Sequence, residues 1–187
     1  MKKVLGIISV LVLVVLLTGC GVTKNNNGVT TPTAKPAKGN CNVFDCIKKL
    51  DINDDLAKVN KVIGFEGELL REGSGYTTYE WVIDEDKSES VEATFYSSST
   101  TITIRFKDDA IKNAKVDFSG YSDIKTALNN RESLKYEDIK AKFKAEGTLI
   151  EKSSFSNKYR WVNAKGGYLD ASFGATSGSC SMIIGRI

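Results

Sequence analysis

The chain has two tryptophans, and each sits in the same kind of tetrad. Tyr79-Glu80-Trp81-Val82 and Tyr159-Arg160-Trp161-Val162 stand eighty positions apart. Their surroundings align as well. Glu66-Gly67-Glu68-Leu69-Leu70 meets Glu146-Gly147-Thr148-Leu149-Ile150 at the same offset. Ala93-Thr94-Phe95 meets Ala171-Ser172-Phe173 after a two-residue contraction. Upstream, Leu56, Val59, Val62 and Ile63 form one apolar stripe at helical spacing, and Tyr136, Ile139 and Phe143 form another. Ordered matches of this kind, each preceded by a helix, predict a tandem repeat.

Inside each repeat the period changes from helix to strand. Tyr79, Trp81 and Ile83 alternate with Glu80, Val82 and Asp84. Val91, Ala93 and Phe95 alternate with Glu92, Thr94 and Tyr96, and Ile102, Ile104 and Phe106 with Thr101, Thr103 and Arg105. Val116 and Phe118 are expected to close this first set. Alternation predicts an antiparallel sheet with one buried and one wet face. Helices are expected over 43–50 and 54–63 in the first repeat, and over 122–130 and 135–145 in the second. Further strands are expected near Leu149, over 159–163, 168–174 and 179–187. The fold class is therefore α+β, two tandem helix-helix-antiparallel-sheet repeats (41–118 and 119–187) with the helices on one face of each sheet. The tryptophans and tyrosines of the tetrads are expected to seal sheet against helix, each with a polar tip that needs a partner; a ligand role is the alternative. A helix-end glycine is present as Gly64, whereas Lys144 stands at the matching position, so that turn is expected to differ.

The order of helix, EGELL, YEWV, ATF and strand, repeated as EGTLI, YRWV and ASF, resembles the fold of the β-lactamase-inhibitor proteins. It is more distantly similar to the small outer-membrane-assembly lipoproteins of the SmpA/OmlA type. The resemblance covers nearly all of 41–187. It implies two sheets lining up into a concave surface that grips a partner protein. It also implies, as alternatives, a structural role in envelope assembly or inhibition of a β-lactamase.

The first twenty residues read as an address. Met1-Lys2-Lys3 is basic, and 4–17 is apolar apart from Gly6 and Ser9. Fourteen helical residues reach roughly 21 Å, short of the ~30 Å hydrocarbon core, which suits a signal peptide over 1–19. Leu17-Thr18-Gly19-Cys20 resembles the lipobox of bacterial lipoproteins, in which Cys20 would be diacylated and become the N-terminus. Two or three acyl chains hold a protein stably at a membrane. The expected location is the extracytoplasmic side of the cell membrane, lipid-anchored. Residues 21–40 contain both prolines and no aromatic residue, the composition of a flexible tether.

Charge and residue usage narrow the function. The formal net charge is +3. Without Lys2 and Lys3 it is +1, and without the tether's Lys24, Lys35 and Lys38 it is −2. The body thus lacks the basic excess of a nucleic-acid binder. Histidine is absent from the whole sequence, which removes histidine-based triads, histidine metal sites and the usual acid-base group at neutral pH. Gly73-Ser74-Gly75 and Gly166-Gly167 read as hairpin turns. Asp51-Ile52-Asn53-Asp54-Asp55 begins like a calcium loop, but Leu56 and Val62 stand where glycine and a bidentate glutamate belong; helix capping by Asn53 or Asp54 explains it better. Asp84-Glu85-Asp86 and Asp108-Asp109 are expected in solvated turns. Cys41 and Cys46 could form a disulfide only with Cys41 outside the helix; free thiols are the alternative. Cys180 is expected to be a buried free thiol. No enzyme activity, cofactor or metal is expected. The leading expectation is a protein-binding module whose outward face includes Glu80, Glu92, Tyr96, Thr103, Arg105, Arg160, Asp170 and Ser172, with Tyr96 as its anchor.

Overall fold

The computed structural model describes residues 39–187; Cys20, the signal peptide and nearly all of the tether lie outside the described residues. Helix α1 (Val43–Lys49) starts at Asn42, whose Oδ1 accepts the Asp45 N–H at 3.0 Å, and ends on Lys48 and Lys49, which suit the negative end of the helix dipole. Cys41 lies outside this helix and is joined to Cys46 by a disulfide, with Cα atoms 5.5 Å apart. Helix α2 (Leu56–Ile63) is capped by Asp55, which accepts from Lys58 N at 2.8 Å. The expected caps, Asn53 and Asp54, are used otherwise. Asp54 accepts the Asp51 N–H at 2.8 Å, and Asp51 accepts the Asn53 N–H at 3.0 Å, which folds the acidic run into a turn of its own. Among the described residues no group of three or more acidic, cysteine or histidine side chains could hold a metal.

Four strands follow as a meander: β1 (Glu68–Gly73), β2 (Tyr76–Val82), β3 (Ser90–Tyr96) and β4 (Thr100–Arg105). Gly75, at φ +86°, makes the first tight turn. A 3-10 turn (Asp108–Ile111) then leads to the two-residue β5 (Lys112–Asn113), which runs parallel to the end of a later strand. After α3 (Tyr121–Asn129) and α4 (Tyr136–Phe143) comes a second meander: β6 (Thr148–Lys152), β7 (Ser156–Asn163), β8 (Tyr168–Gly174) and β9 (Cys180–Arg186). Among the described residues the fold is thus mixed α+β, with four helices and a nine-stranded sheet whose pairings are all antiparallel except that of β5 with β7.

The two meanders are one sheet. β4 pairs antiparallel with β6 through Ile102 opposite Lys152 and Thr103 opposite Glu151. Lys152 strengthens the seam by donating to the Leu50 carbonyl at the end of α1, at 2.6 Å.

Two apolar cores lie against this sheet. In the first, Val43, Cys46 and Ile47 of α1 and Val59 and Ile63 of α2 pack on Trp81, Val91, Ala93 and Ile102. In the second, Ile124, Ile139 and Phe143 pack on Trp161, Leu169, Ala171 and Phe173. Burying each such aliphatic side chain contributes about 1.5–3 kcal/mol. Val116 and Phe118 depart from expectation. They form no strand and belong to the second core, where Phe118 meets Phe143 edge-on at 5.2 Å. The Asp117 N–H donates to the Phe143 carbonyl at 3.0 Å, so this segment follows the end of α4 instead of lengthening the first meander.

The tryptophans explain the glycines that precede each meander. A Cβ on Gly67 would stand 2.5 Å from the Trp81 ring, and one on Gly147 would stand 2.5 Å from the Trp161 ring. Only glycine lets each ring lie on the backbone. Trp81 Nε1 donates to Asn60 Oδ1 at 3.0 Å and to the Phe65 carbonyl at 3.2 Å; Trp161 Nε1 donates to the Ala145 carbonyl at 2.8 Å. The helix ends correct one expectation. Gly64 (φ +102°) and Lys144 (φ +54°) both close their helices in the left-handed conformation. The turn keeps its hand despite the lysine, whose Cβ makes that conformation costly. Among the described residues no helix is long and apolar enough to cross a membrane.

Candidate functional site

Alternation carries every second strand residue to one face, and Trp81, Ala93, Ile102, Trp161 and Ala171 to the other. Because the sheet is continuous, one row of the first face runs across eight strands: Glu68, Glu80, Glu92, Thr103, Glu151, Lys158, Ser172 and Met182 stand side by side. Like charges directly opposite one another destabilise a sheet. The row places Glu80 against both Glu68 and Glu92. Cations from adjacent rows offset this. Arg71 pairs with Glu92 at 2.8 Å, and Arg105 with Glu80 at 3.0 Å, while Ser90 Oγ donates to Glu80 at 2.8 Å. Lys158 holds Glu151 at 2.6 Å across the β6–β7 pair.

Arg160 anchors the second half of the face. Its Nε and Nη2 grip Asp170 at 2.7 and 2.8 Å, a two-pronged geometry that the planar guanidinium favours. Its Nη1 reaches Asp108 at 3.1 Å. Its guanidinium carbon lies 4.8 Å from the centre of the Tyr168 ring, within cation–π range. The bonds to Asp170, with burial working against them and Asp108 adding to them, push the guanidinium above the ordinary arginine range. Asp108 is therefore a partner of Arg160 and not the solvated turn residue that the sequence suggested.

All eight expected residues stand on this face, but not all of them face water. Tyr96 is 49% exposed, with its ring 6.2 Å from that of Tyr76, and Arg105 is exposed too. Glu80, Glu92, Thr103 and Arg160 are half-buried. Asp170 and Ser172 are buried, at 7% and 6% exposure. The expectation that these two point freely outward is corrected. Asp170 lies beneath the Arg160 fork, and Ser172 stands between Lys158 and Met182 on strands flanked on both sides. A cavity of about 360 Å³ opens at the seam and brings Glu92, Thr103, Arg105, Arg160 and Asp170 to one wall with Glu151 and Lys158.

Arg71, Glu151 and Lys158 were not singled out by sequence, and Asp108 was expected only as a solvated turn residue. Alternation was the available signal for Glu151 and Lys158. For Lys158 it runs unbroken, two residues from Arg160; for Glu151 it is broken by a register shift between Leu149 and Glu151, since a bulge moves each following side chain to the other face. Asp108 had no local signal, since its partner is fifty-two positions away. Among the described residues every buried side-chain nitrogen and oxygen has a hydrogen-bond partner. The face thus presents oriented charges locked into pairs, with hydroxyls and an exposed tyrosine pair at its margin. Such an arrangement can read a complementary surface with little reorganisation.

No family model matches this chain, and neither a curated protein nor a solved structure matches it.

Proposed function

We propose that this chain is an extracytoplasmic lipoprotein, anchored through acylated Cys20, that works as a non-catalytic protein-binding module. In this reading the two meanders are tandem repeats of the kind found in β-lactamase-inhibitor proteins. Their helices lie on one face of the sheet and leave the other face for a partner. The observation that carries the reading is the β4–β6 seam. It turns two small faces into one, with a cavity at the middle and paired charges on both sides. An exposed tyrosine pair at the edge supplies the kind of aromatic anchor that dominates binding energy at interfaces.

The test is photo-crosslinking in cells, with a photoreactive phenylalanine analogue replacing Tyr96 and mass spectrometry of the adducts. One dominant protein adduct is expected, and it should weaken when Arg105→Ala removes the guanidinium that holds Glu80. No adduct from cells in which the protein is present, or an adduct indifferent to Arg105, overturns the open-face reading. Cys20→Ala tests the anchor separately and should move the protein out of the membrane fraction. A Cys20→Ala protein that stays with the membrane would remove lipidation from the account.

A further inference from the structure

Each half of the sheet carries the same aromatic pair against its helices. Tyr79 and Phe95 meet edge to face, with ring centres 6.0 Å apart and planes at 76°. Tyr159 and Phe173 do so at 5.8 Å and 77°. What covers the pair differs. In the second half Tyr136, the first residue of α4, lays its ring against Tyr159 at 4.6 Å, Phe173 at 5.7 Å and Trp161 at 5.9 Å. Its hydroxyl accepts the Gly147 N–H at 3.0 Å and donates to Glu146 at 2.7 Å.

The first residue of α2 is Leu56, which brings no ring. A cavity of about 470 Å³ opens there, bordered by Leu56, Tyr79, Phe95 and Thr77, with Ser97 and Ser98 at its mouth. This volume falls within the usual range for small-ligand sites, which combine apolar walls with a few polar groups. Asp54 and Asp55 are the charged residues of its wall, and both are negative, so the site disfavours an anion. Among the described residues nothing bonds the hydroxyls of Tyr79, Ser97 or Ser98, which leaves them for a bound group.

We propose that this cavity binds an uncharged aromatic ring bearing a hydroxyl, the chemistry of a phenol, seated on Tyr79 and Phe95 as Tyr136 is seated on Tyr159 and Phe173. The second half shows that the pair accepts a third ring, edge-on to Phe173 and tilted at 45° to Tyr159, and such aromatic contacts are worth more than their buried area alone. In the first half the chain leaves that place open, and the ring comes from outside. A free phenolic compound and a tyrosine side chain of another protein share the required chemistry. Tyr96 of the open face also borders this cavity, but the Leu56 variants change the aromatic seat and leave Tyr96 in place, so the two readings fail separately.

The experiment is a chemical-shift titration of the full chain in detergent with two probes, 4-hydroxybenzamide and a blocked Gly-Tyr-Gly peptide. Saturable shifts are expected at Leu56, Thr77, Tyr79, Phe95, Ser97 and Ser98. Tighter binding of the peptide assigns the ring to a protein source, and tighter binding of 4-hydroxybenzamide assigns it to a small molecule. Leu56→Tyr fills the space in cis and should weaken either probe at least about tenfold. Leu56→Phe, which fills less of it, is the second variant should the first fail to fold. The proposal is overturned if neither probe saturates, if the folded variant binds as the parent does, or if methyl glucoside produces the shifts and the phenols do not.

Discussion

In the first half Gly67 donates its N–H to Asn60 Oδ1 at 3.2 Å; in the second, Gly147 donates to the Tyr136 hydroxyl at 3.0 Å. Both glycines lie under a tryptophan, so both donors are shielded and need an acceptor. Asn60 also takes the Trp81 indole N–H, whereas Trp161 is left to a backbone carbonyl. The acceptor is interchangeable, and the glycine under the ring is not. The choice has a consequence elsewhere. A tyrosine that reaches Gly147 must pass its ring across the Tyr159–Phe173 pair and fill that space, while an asparagine leaves the matching space open. Burial first, and then the bond to Glu146, push the Tyr136 hydroxyl above the ordinary tyrosine range, so it stays protonated and can donate and accept at once. The first half instead adds a disulfide and caps both of its helices from the N-cap side chain, whereas α4 is capped from within, Asp138 accepting the Lys135 N–H at 2.7 Å.

The largest expected effects test what the halves share. Gly67→Ala and Gly147→Ala each drive a methyl into a tryptophan ring and should destabilise the protein by about 2–3 kcal/mol. Urea unfolding of the two variants should give similar losses. A loss at only one site would break the equivalence. Next comes what they do not share. Replacing Cys41 and Cys46 by serine opens a short loop in the first half and should cost about 2 kcal/mol. Under reducing conditions the parent should then match the variant.

Smaller effects separate the two acceptors. Asn60→Ala strands the shielded Gly67 N–H but leaves the Trp81 indole its bond to the Phe65 carbonyl, so it should cost about 1–2 kcal/mol, whereas Tyr136→Phe removes one acceptor and should cost about 1 kcal/mol. Equal losses would show that the Phe65 carbonyl alone satisfies the Trp81 indole. The smallest effect concerns the helix ends. Lys144→Gly relieves the left-handed lysine, worth about 1 kcal/mol, but removes its 2.7 Å bond to Asp117, so the net change in stability should be near zero at neutral pH. The pH dependence is more telling. The bond from Lys144 holds the Asp117 carboxyl well below the usual carboxylate range. Its contribution is complete above the unfolded value near pH 4 and is lost as pH falls through the depressed folded value. Lys144→Gly should therefore lose less stability than the parent below about pH 4. Equal acid sensitivity would show that the pair is inert.

Much of the fold was legible because its signals are local. Helical spacing at Leu56, Val59 and Ile63, and alternation through Trp81, Val91, Ala93 and Ile102, mark elements and buried faces at once. The expected helix bounds lie within two residues of those observed, although the cap expected at Asn53 or Asp54 is Asp55. The same alternation put Glu80, Glu92, Tyr96, Thr103 and Arg105 on one face.

The rest depends on contacts distant in sequence. Strand period says which face a residue occupies but not which strand will lie beside it. The β4–β6 seam, the reach of Asp108 to Arg160 and the capture of Val116 and Phe118 by the second core are all of that kind. So is the burial of Asp170 and Ser172, since exposure on a sheet face depends on what the neighbouring strands carry. By itself the sequence determined most elements, their faces and the recurrence of Gly67 and Gly147 at one offset from the two tryptophans, because backbone sterics and side-chain period act over a few residues; that the rings lie on those glycines is a contact between elements. Only the tertiary structure decided that two meanders become one surface and that one aromatic pair is covered while the other stands open. Those outcomes depend on which strands pair and which side chains meet across the core, and neither is written in any local window.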